Sequence, residues 1–172
     1  AEDALRAAEE LGRHSMQELR RTVTLLRSDS ETGVEPPLPS VGEIPELVEQ
    51  ARAAGLAVEL RMQGDLSRVP PGVGLAAYRI AQEALANAAR HAPRARTMLG
   101  VELTNGRVAI VAETHGPVAV ASASAPERER RRYGLIGMQE RATALRGEFE
   151  AGPTRDGWRV SCRLPVGDRR SP

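Results

Sequence analysis

Glu83 and Asn87 stand four residues apart in the stretch Tyr78–His91, and residues so spaced on a helix share one face. A carboxylate can take up a proton, and an amide oxygen is a hard neutral ligand for Mg²⁺. One turn apart, the two could serve phosphoryl transfer, in which positioning, a metal ion and a base do most of the work. Arg79 and His91 continue the same row in both directions. The competing reading is a plain solvated face, since polar residues at helical spacing usually form one.

Such a row needs a rigid support, and the surrounding sequence supplies one. At 100° per residue, Leu75, Ala76, Ile80, Ala81, Ala84, Leu85 and Ala88 form the apolar stripe of a core-facing helix. Pro70-Pro71 opens it, because proline is accommodated in a first turn. Upstream, Ile44, Leu47, Val48 and Ala51 mark an amphipathic helix over Glu43–Ala54 that ends at Gly55, and Ala57–Met62 alternates as a strand does. Downstream, Thr97–Leu103 and Arg107–Glu113 are strands joined through Thr104-Asn105-Gly106, where Asn-Gly gives positive φ at little cost. A helix over Leu135–Leu145, closed by Gly147, precedes a hairpin of Glu148–Ala151 and Trp158–Leu164 with Val160, Cys162 and Leu164 inward. Helices segregated against a mixed, mostly antiparallel sheet predict an α+β fold, a two-layer α/β sandwich.

Composition removes several chemistries. The chain has 172 residues, enough for one ordinary domain over 41–166 with an appended helix and a loose tail over 167–172. All 24 basic residues are Arg, which excludes a P-loop lysine and Schiff-base catalysis. Cys162 is the only cysteine, so no internal disulfide and no cysteine-built zinc site can form. His14, His91 and His115 lack metal-ligand spacing. With 23 acidic residues the net charge is +1, which gives no general attraction to nucleic acid or to an anionic membrane. No apolar run reaches membrane-spanning length and no signal peptide opens the sequence, so an intracellular, cytoplasmic domain is expected, excised from a longer sensor that a membrane could anchor.

Before the domain, Ala4–Arg27 carries Leu5, Ala8, Gly12, Ser15, Leu19, Val23 and Leu26 at helical spacing, a narrow stripe that calls for a partner helix. Ser28–Ser40, with Pro36, Pro37 and Pro39, reads as a linker. His14 on that first helix is expected to be an ordinary surface residue.

The segment Arg79–His91 resembles the N box of sensor histidine kinases of the nitrate-sensor-like class. Met16–Arg27 resembles the second helix of their dimerisation hairpin. Glu113-Thr-His-Gly-Pro117 resembles the G1 box, normally D-x-G-x-G, and departs from it. With Glu113 as the acid, His115 and Pro117 fall on both glycine positions; slid by one residue, Gly116 is kept but Thr114 takes the acid's place. Val118–Arg132, ending in Pro126-Glu-Arg-Glu-Arg-Arg-Arg132, resembles the mobile lid over the nucleotide. Tyr133–Arg141 resembles the G2 box and the helix after it, with a glycine-rich helix start suited to an anion.

The resemblance implies the ATP-binding fold shared with gyrase, mismatch-repair ATPases and a heat-shock chaperone, and a fragment of a protein-histidine kinase. It implies Glu83 as general base, Asn87 as the Mg²⁺ ligand and Glu113 as the partner of adenine. The rest of the nucleotide site would be Arg90, His91, Gly116 and Arg132, with Gly134, Leu135, Gly137 and Met138 about the phosphates. ATP and Mg²⁺ are the implied ligands. The phospho-accepting hairpin and a response regulator, neither in this chain, are the implied partners, with homodimerisation through the first helix. The alternative is a degenerate pseudokinase acting as a dimerisation or interaction module, and a serine kinase or ATPase of the same fold is a third reading.

Overall fold

The structure, a computed structural model, describes residues 38–116 and 125–167, with side chains in the second stretch from 132 onward. The expected first helix with His14, the linker up to Pro37, the part of the lid over 118–124 and the end of the tail lie outside these residues.

The domain opens with a capping box. The Ser40 hydroxyl accepts from the Gly42 amide at 3.2 Å, while Glu43 Oε2 accepts from the Ser40 amide at 2.6 Å. The Ser40 hydroxyl also donates to Glu43 Oε2 at 2.6 Å, and this bond first, then the amide's, holds the Glu43 carboxyl below its ordinary range. Helix α1 (Ile44–Ala53) follows, burying Ile44, Leu47 and Val48. Gly55 ends it at φ +94°, where a Cβ would be strained.

Strand β1 (Ala57–Gln63) leads through a short turn to α2 (Pro71–His91). Pro70 is the N-cap of α2 and Pro71 its first residue, a position whose amide would have no helical partner anyway. Ala76, Ile80, Ala81, Ala84, Leu85 and Ala88 are buried as the stripe predicts, and Val73, Gly74 and Ala77 widen it. Leu75 is half-buried. Small alanines let the helix lie close on the sheet, and Ile80, 0% exposed, fills the space between; its truncation to Ala would cost ~2–5 kcal/mol.

Strands β2 (Arg96–Thr104) and β3 (Arg107–His115) pair antiparallel through Asn105 (φ +48°) and Gly106 (φ +70°), both left-handed as the Asn-Gly dipeptide requires. Helix α3 (Ala125–Ala144) then returns to the hairpin of β4 (Glu148–Thr154) and β5 (Gly157–Pro165). The sheet order is β1-β2-β3-β5-β4, with β1 parallel to β2 and every other pair antiparallel. Leu99, Val101, Val108, Ile110, Val160, Cys162 and Leu164 face the helices and are buried. The result is the expected two-layer sandwich.

Two boundaries differ from expectation. Helix α3 begins at Ala125, so the charged run at Pro126–Arg132 is helical rather than lid loop, and Gly134 and Gly137 lie inside a helix, not at its start. Lacking an apolar period, the run gave no helical signal; Glu and Arg are nevertheless good helix formers. At the other end Arg146, not Gly147, takes the left-handed conformation, at φ +55°. Gly147 is needed for a different reason: a Cβ there would stand 2.6 Å from Arg163 O and 2.8 Å from Leu164 Cδ2 on β5. Burial pushes the Cys162 thiol up to about 12, so the residue is an inert part of the core.

Candidate functional site

Helices α2 and α3 cross at Gly134. A Cβ at Gly134 would run into the Glu83 carboxylate and stand 3.5 Å from Asn87 Nδ2. The glycine therefore lets the α3 backbone close over the Glu83–Asn87 pair, and those two side chains do share a face of α2. Both are half-buried. Arg90, exposed one turn on, donates to Asn87 Oδ1 at 3.2 Å, which occupies the amide oxygen suited to a metal. Arg79 is turned along the helix to Gln82 Oε1 at 2.8 Å and stays outside this group.

Beside the crossing lies a small cleft of about 20 Å³, the space of about one water. Asn87 and His91 line it from α2, Ala112 and Thr114 from β3, Leu135 from α3, and Trp158 and Val160 from β5. Its wall is apolar except near Asn87 and at the polar tips of His91, Thr114 and Trp158. His91 is 8% exposed, held at the last turn of α2.

The strand alternation decides which residue of β3 meets the cleft. Ile110, Ala112 and Thr114 face the helices; Val111 and Glu113 face the other way. Glu113 lies on the far side of the sheet, 3.4 Å from Arg159 Nε and 3.9 Å from His115 Nε2. The two-residue period of the strand thus turns Glu113, the expected partner of adenine, away from the cleft. Thr114 stands at the cleft, and Gly116 follows at φ +138°, where its Cβ would be 3.1 Å from Ala95 Cβ. The expected set divides. Asn87, His91 and Leu135 line the cleft, Glu83 and Gly134 meet at the crossing, and Arg90 borders it. Arg132 is exposed, Gly137 packs toward Arg141, and Met138, 0% exposed, belongs to the core rather than to any open surface.

No protein-family model matches the chain. It is 26% identical over 168 residues to the signal transduction histidine-protein kinase/phosphatase DegS of Brevibacillus brevis, covering 94% of this chain and 40% of that protein. It is 23% identical over 172 residues to the sensor histidine kinase LnrJ of Bacillus subtilis strain 168, covering 99% of this chain and 40% of that one. The chain thus spans about two-fifths of the length of these relatives. Among solved structures, the histidine kinase domain of the E. coli osmosensor EnvZ is similar at a TM-score of 0.55 and 19% identity, over 82% of this chain and 96% of that one. The chain has the fold of histidine kinase domains.

Within this histidine-kinase fold, sequence reasoning missed Trp158 as a cleft residue. The signal was present: the inward series Val160, Cys162, Leu164 extends back by two to Trp158, the only tryptophan in the chain. Thr114 opposes Trp158 across the β3–β5 ladder, so these two close the inner end of the cleft together. Among the described residues no helix is long and apolar enough to cross a membrane.

Proposed function

We propose that this chain is the ATP-binding catalytic part of a sensor histidine kinase, moving the γ-phosphoryl group of ATP to a histidine outside it. The observation that carries this reading is the meeting of Glu83, Asn87 and Gly134 at the α2–α3 crossing, beside a cleft with an apolar inner end. Gly134 lets α3 lie directly against a carboxylate and an amide, a pair of groups suited to a proton-transfer step and to a divalent cation on phosphate oxygens. Among the described residues no group of three or more His, Cys, Asp or Glu could hold a metal ion. Mg²⁺ needs no such group, since one protein ligand together with phosphate oxygens commonly holds it.

Asn87 is the residue that would hold the cation, once its Oδ1 releases the Arg90 guanidinium. Bound there, Mg²⁺ would neutralise charge on the phosphates. Arg90, freed by the same exchange, keeps a positive charge beside them. Glu83 takes the proton from the attacking imidazole as its ring nitrogen bonds to the γ-phosphorus and the bond to the bridging oxygen breaks, releasing ADP. The purine belongs at the apolar inner end by Trp158, Ala112 and Thr114. A response regulator would then receive the phosphoryl group, and the first helix would pair with a hairpin partner in a dimer.

The cleft must widen to admit a nucleotide, and α3 is the wall that closes it on side chains rather than on backbone. The reading predicts a Mg²⁺-dependent rise in melting temperature with a non-hydrolysable ATP analogue. At a hundred times its dissociation constant the ligand adds about 2.7 kcal/mol, roughly 5–10 °C for a domain of this size. An unchanged melting temperature would replace this reading with that of an interaction module.

A further inference from the structure

Strand β1 ends the sheet, and among the described residues only Arg52 reaches its free edge. From α1, Arg52 donates to Val58 O through Nε at 2.9 Å and through Nη2 at 2.7 Å. The Val58 carbonyl therefore points away from β2. Backbone groups of successive strand residues turn to opposite sides, so Leu60 and Met62 present theirs to the same edge. Beside the Arg52 end lies an open groove of about 400 Å³, lined also by Leu56, Val58, Glu59 and Arg96. A strand edge open in this way is a template for another strand.

The side chains of β1 fit one occupant best, the same strand run the other way. Laid antiparallel about Leu60, β1 sets Glu59 opposite Arg61 of a second copy and Arg61 opposite Glu59 of that copy. Both residues are exposed on the outer face of the sheet, where they now pair with each other at 2.8 Å. On the helix-facing side Leu60 meets Leu60 and Val58 meets Met62, apolar against apolar. Opposed unlike charges and opposed apolar side chains both favour a strand pair, and the twofold symmetry repeats each contact. The other edge, β4, lacks this property. It carries Glu148 and Glu150, of one sign, and Pro153, which has no amide proton to donate.

Full pairing needs the Val58 carbonyl, because this register brings the Met62 amide of the second copy to it. Arg52 already fills both lone pairs of that oxygen. Its release is eased by Glu49, which meets Arg52 Nη1 at 2.5 Å and can keep the guanidinium. We propose that β1 is a docking edge for β1 of a second copy of this chain, paired antiparallel about Leu60, with Arg52 restraining the pair at Val58 O.

A cysteine at the symmetry point reads the register directly, since hydrogen-bonded opposite residues lie about 5.5 Å apart, within disulfide reach. Cys162, the only native thiol, is buried and stays silent. Leu60→Cys in the full chain is expected to give a disulfide-linked dimer under mild oxidation. Glu59→Cys is more exposed but stands about 7–8 Å from its own copy across the diagonal, and is expected to give about fivefold less. Adding Arg61→Glu to Leu60→Cys opposes like charges and should lower the yield about fivefold, and adding Glu59→Arg as well should restore it. Adding Arg52→Ala to Leu60→Cys should raise the yield about threefold.

Equal yields from Leu60→Cys and Glu59→Cys would overturn the proposal, since collision alone gives that result. So would a yield insensitive to Arg61→Glu, or one that Arg52→Ala leaves unchanged or lowers. Association through the first helix alone would depend on neither arginine. If Leu60→Cys does not fold, amide exchange in the otherwise native chain decides. Slow exchange at the Leu60 amide that Arg61→Glu makes fast is the expected result, and the same rate in both chains would overturn the proposal.

Discussion

Gly134 on α3 and Gly157 on β5 each precede a residue that lines the cleft, Leu135 and Trp158, and neither has room for a side chain, but what they touch differs. At Gly134 an added Cβ meets the far end of a glutamate, with the Glu83 carboxylate as its first obstacle. At Gly157 it meets the backbone carbonyl of Thr114, with His115 Cα at 3.3 Å behind it. A flexible carboxylate can swing aside for a modest rotamer cost, whereas two hydrogen-bonded strands cannot part without losing their ladder. The helical wall of the site is thus adjustable and the sheet wall is fixed. The proposed function therefore predicts that a nucleotide enters on the helical side.

Four substitutions would break or sharpen this contrast. Glu83→Gln has the largest expected effect, because it removes the base and keeps the shape. Transfer from ATP to a hairpin supplied in trans should fall by ~10²–10⁴, while Mg·ATP affinity measured on the same preparation changes little. A similar loss in both would make Glu83 a binding residue instead. Gly157→Ala should cost about 3 kcal/mol or more through backbone overlap, seen as a fall of roughly 6–12 °C in melting temperature. A shift under about 2 °C would show that the sheet wall yields as well.

Gly134→Ala should do something different in kind. The gain in helix propensity of up to ~1 kcal/mol opposes a rotamer cost for Glu83 of about 0.5–1.5 kcal/mol. The melting temperature should therefore move little, while phosphoryl transfer drops because the carboxylate has been turned away. A collapse in stability as large as that of Gly157→Ala would erase the distinction between the walls. The smallest effect belongs to Glu113→Gln. Its partner Arg159 is 47% exposed in its side chain, so the pair is worth at most ~1 kcal/mol. Nucleotide affinity should not change, and a tenfold loss would return Glu113 to the role the sequence first suggested.

How much was legible in the sequence follows from which periodicities it carried. Helix α2 could be read in register because Ala76, Ile80, Ala84 and Ala88 repeat on one face while Glu83 and Asn87 repeat on another. The Asn105-Gly106 hairpin was legible because its backbone needs positive φ that few other residues supply. The start of α3 was not, since a run such as Glu127-Arg-Glu-Arg-Arg-Arg132 has no apolar stripe to mark a helix, and its interior glycines looked like a boundary. The side of the sheet on which Glu113 lies was written in the alternation Val108, Ile110, Ala112, Thr114. An acidic residue near a motif that calls for an acid outweighed that pattern. Trp158 was hidden in the same way, one step beyond where the inward series was read.

The central claim is that Asn87, beneath the α3 crossing, binds the metal–phosphate end of a nucleotide. Calorimetric titration of Mg·ATP into the wild-type chain and into Asn87→Ala tests it most directly. Saturable heat from the wild type and a loss of affinity of about a hundredfold in the variant, near 2.7 kcal/mol, is the predicted result. Equal affinity in the two proteins would contradict it.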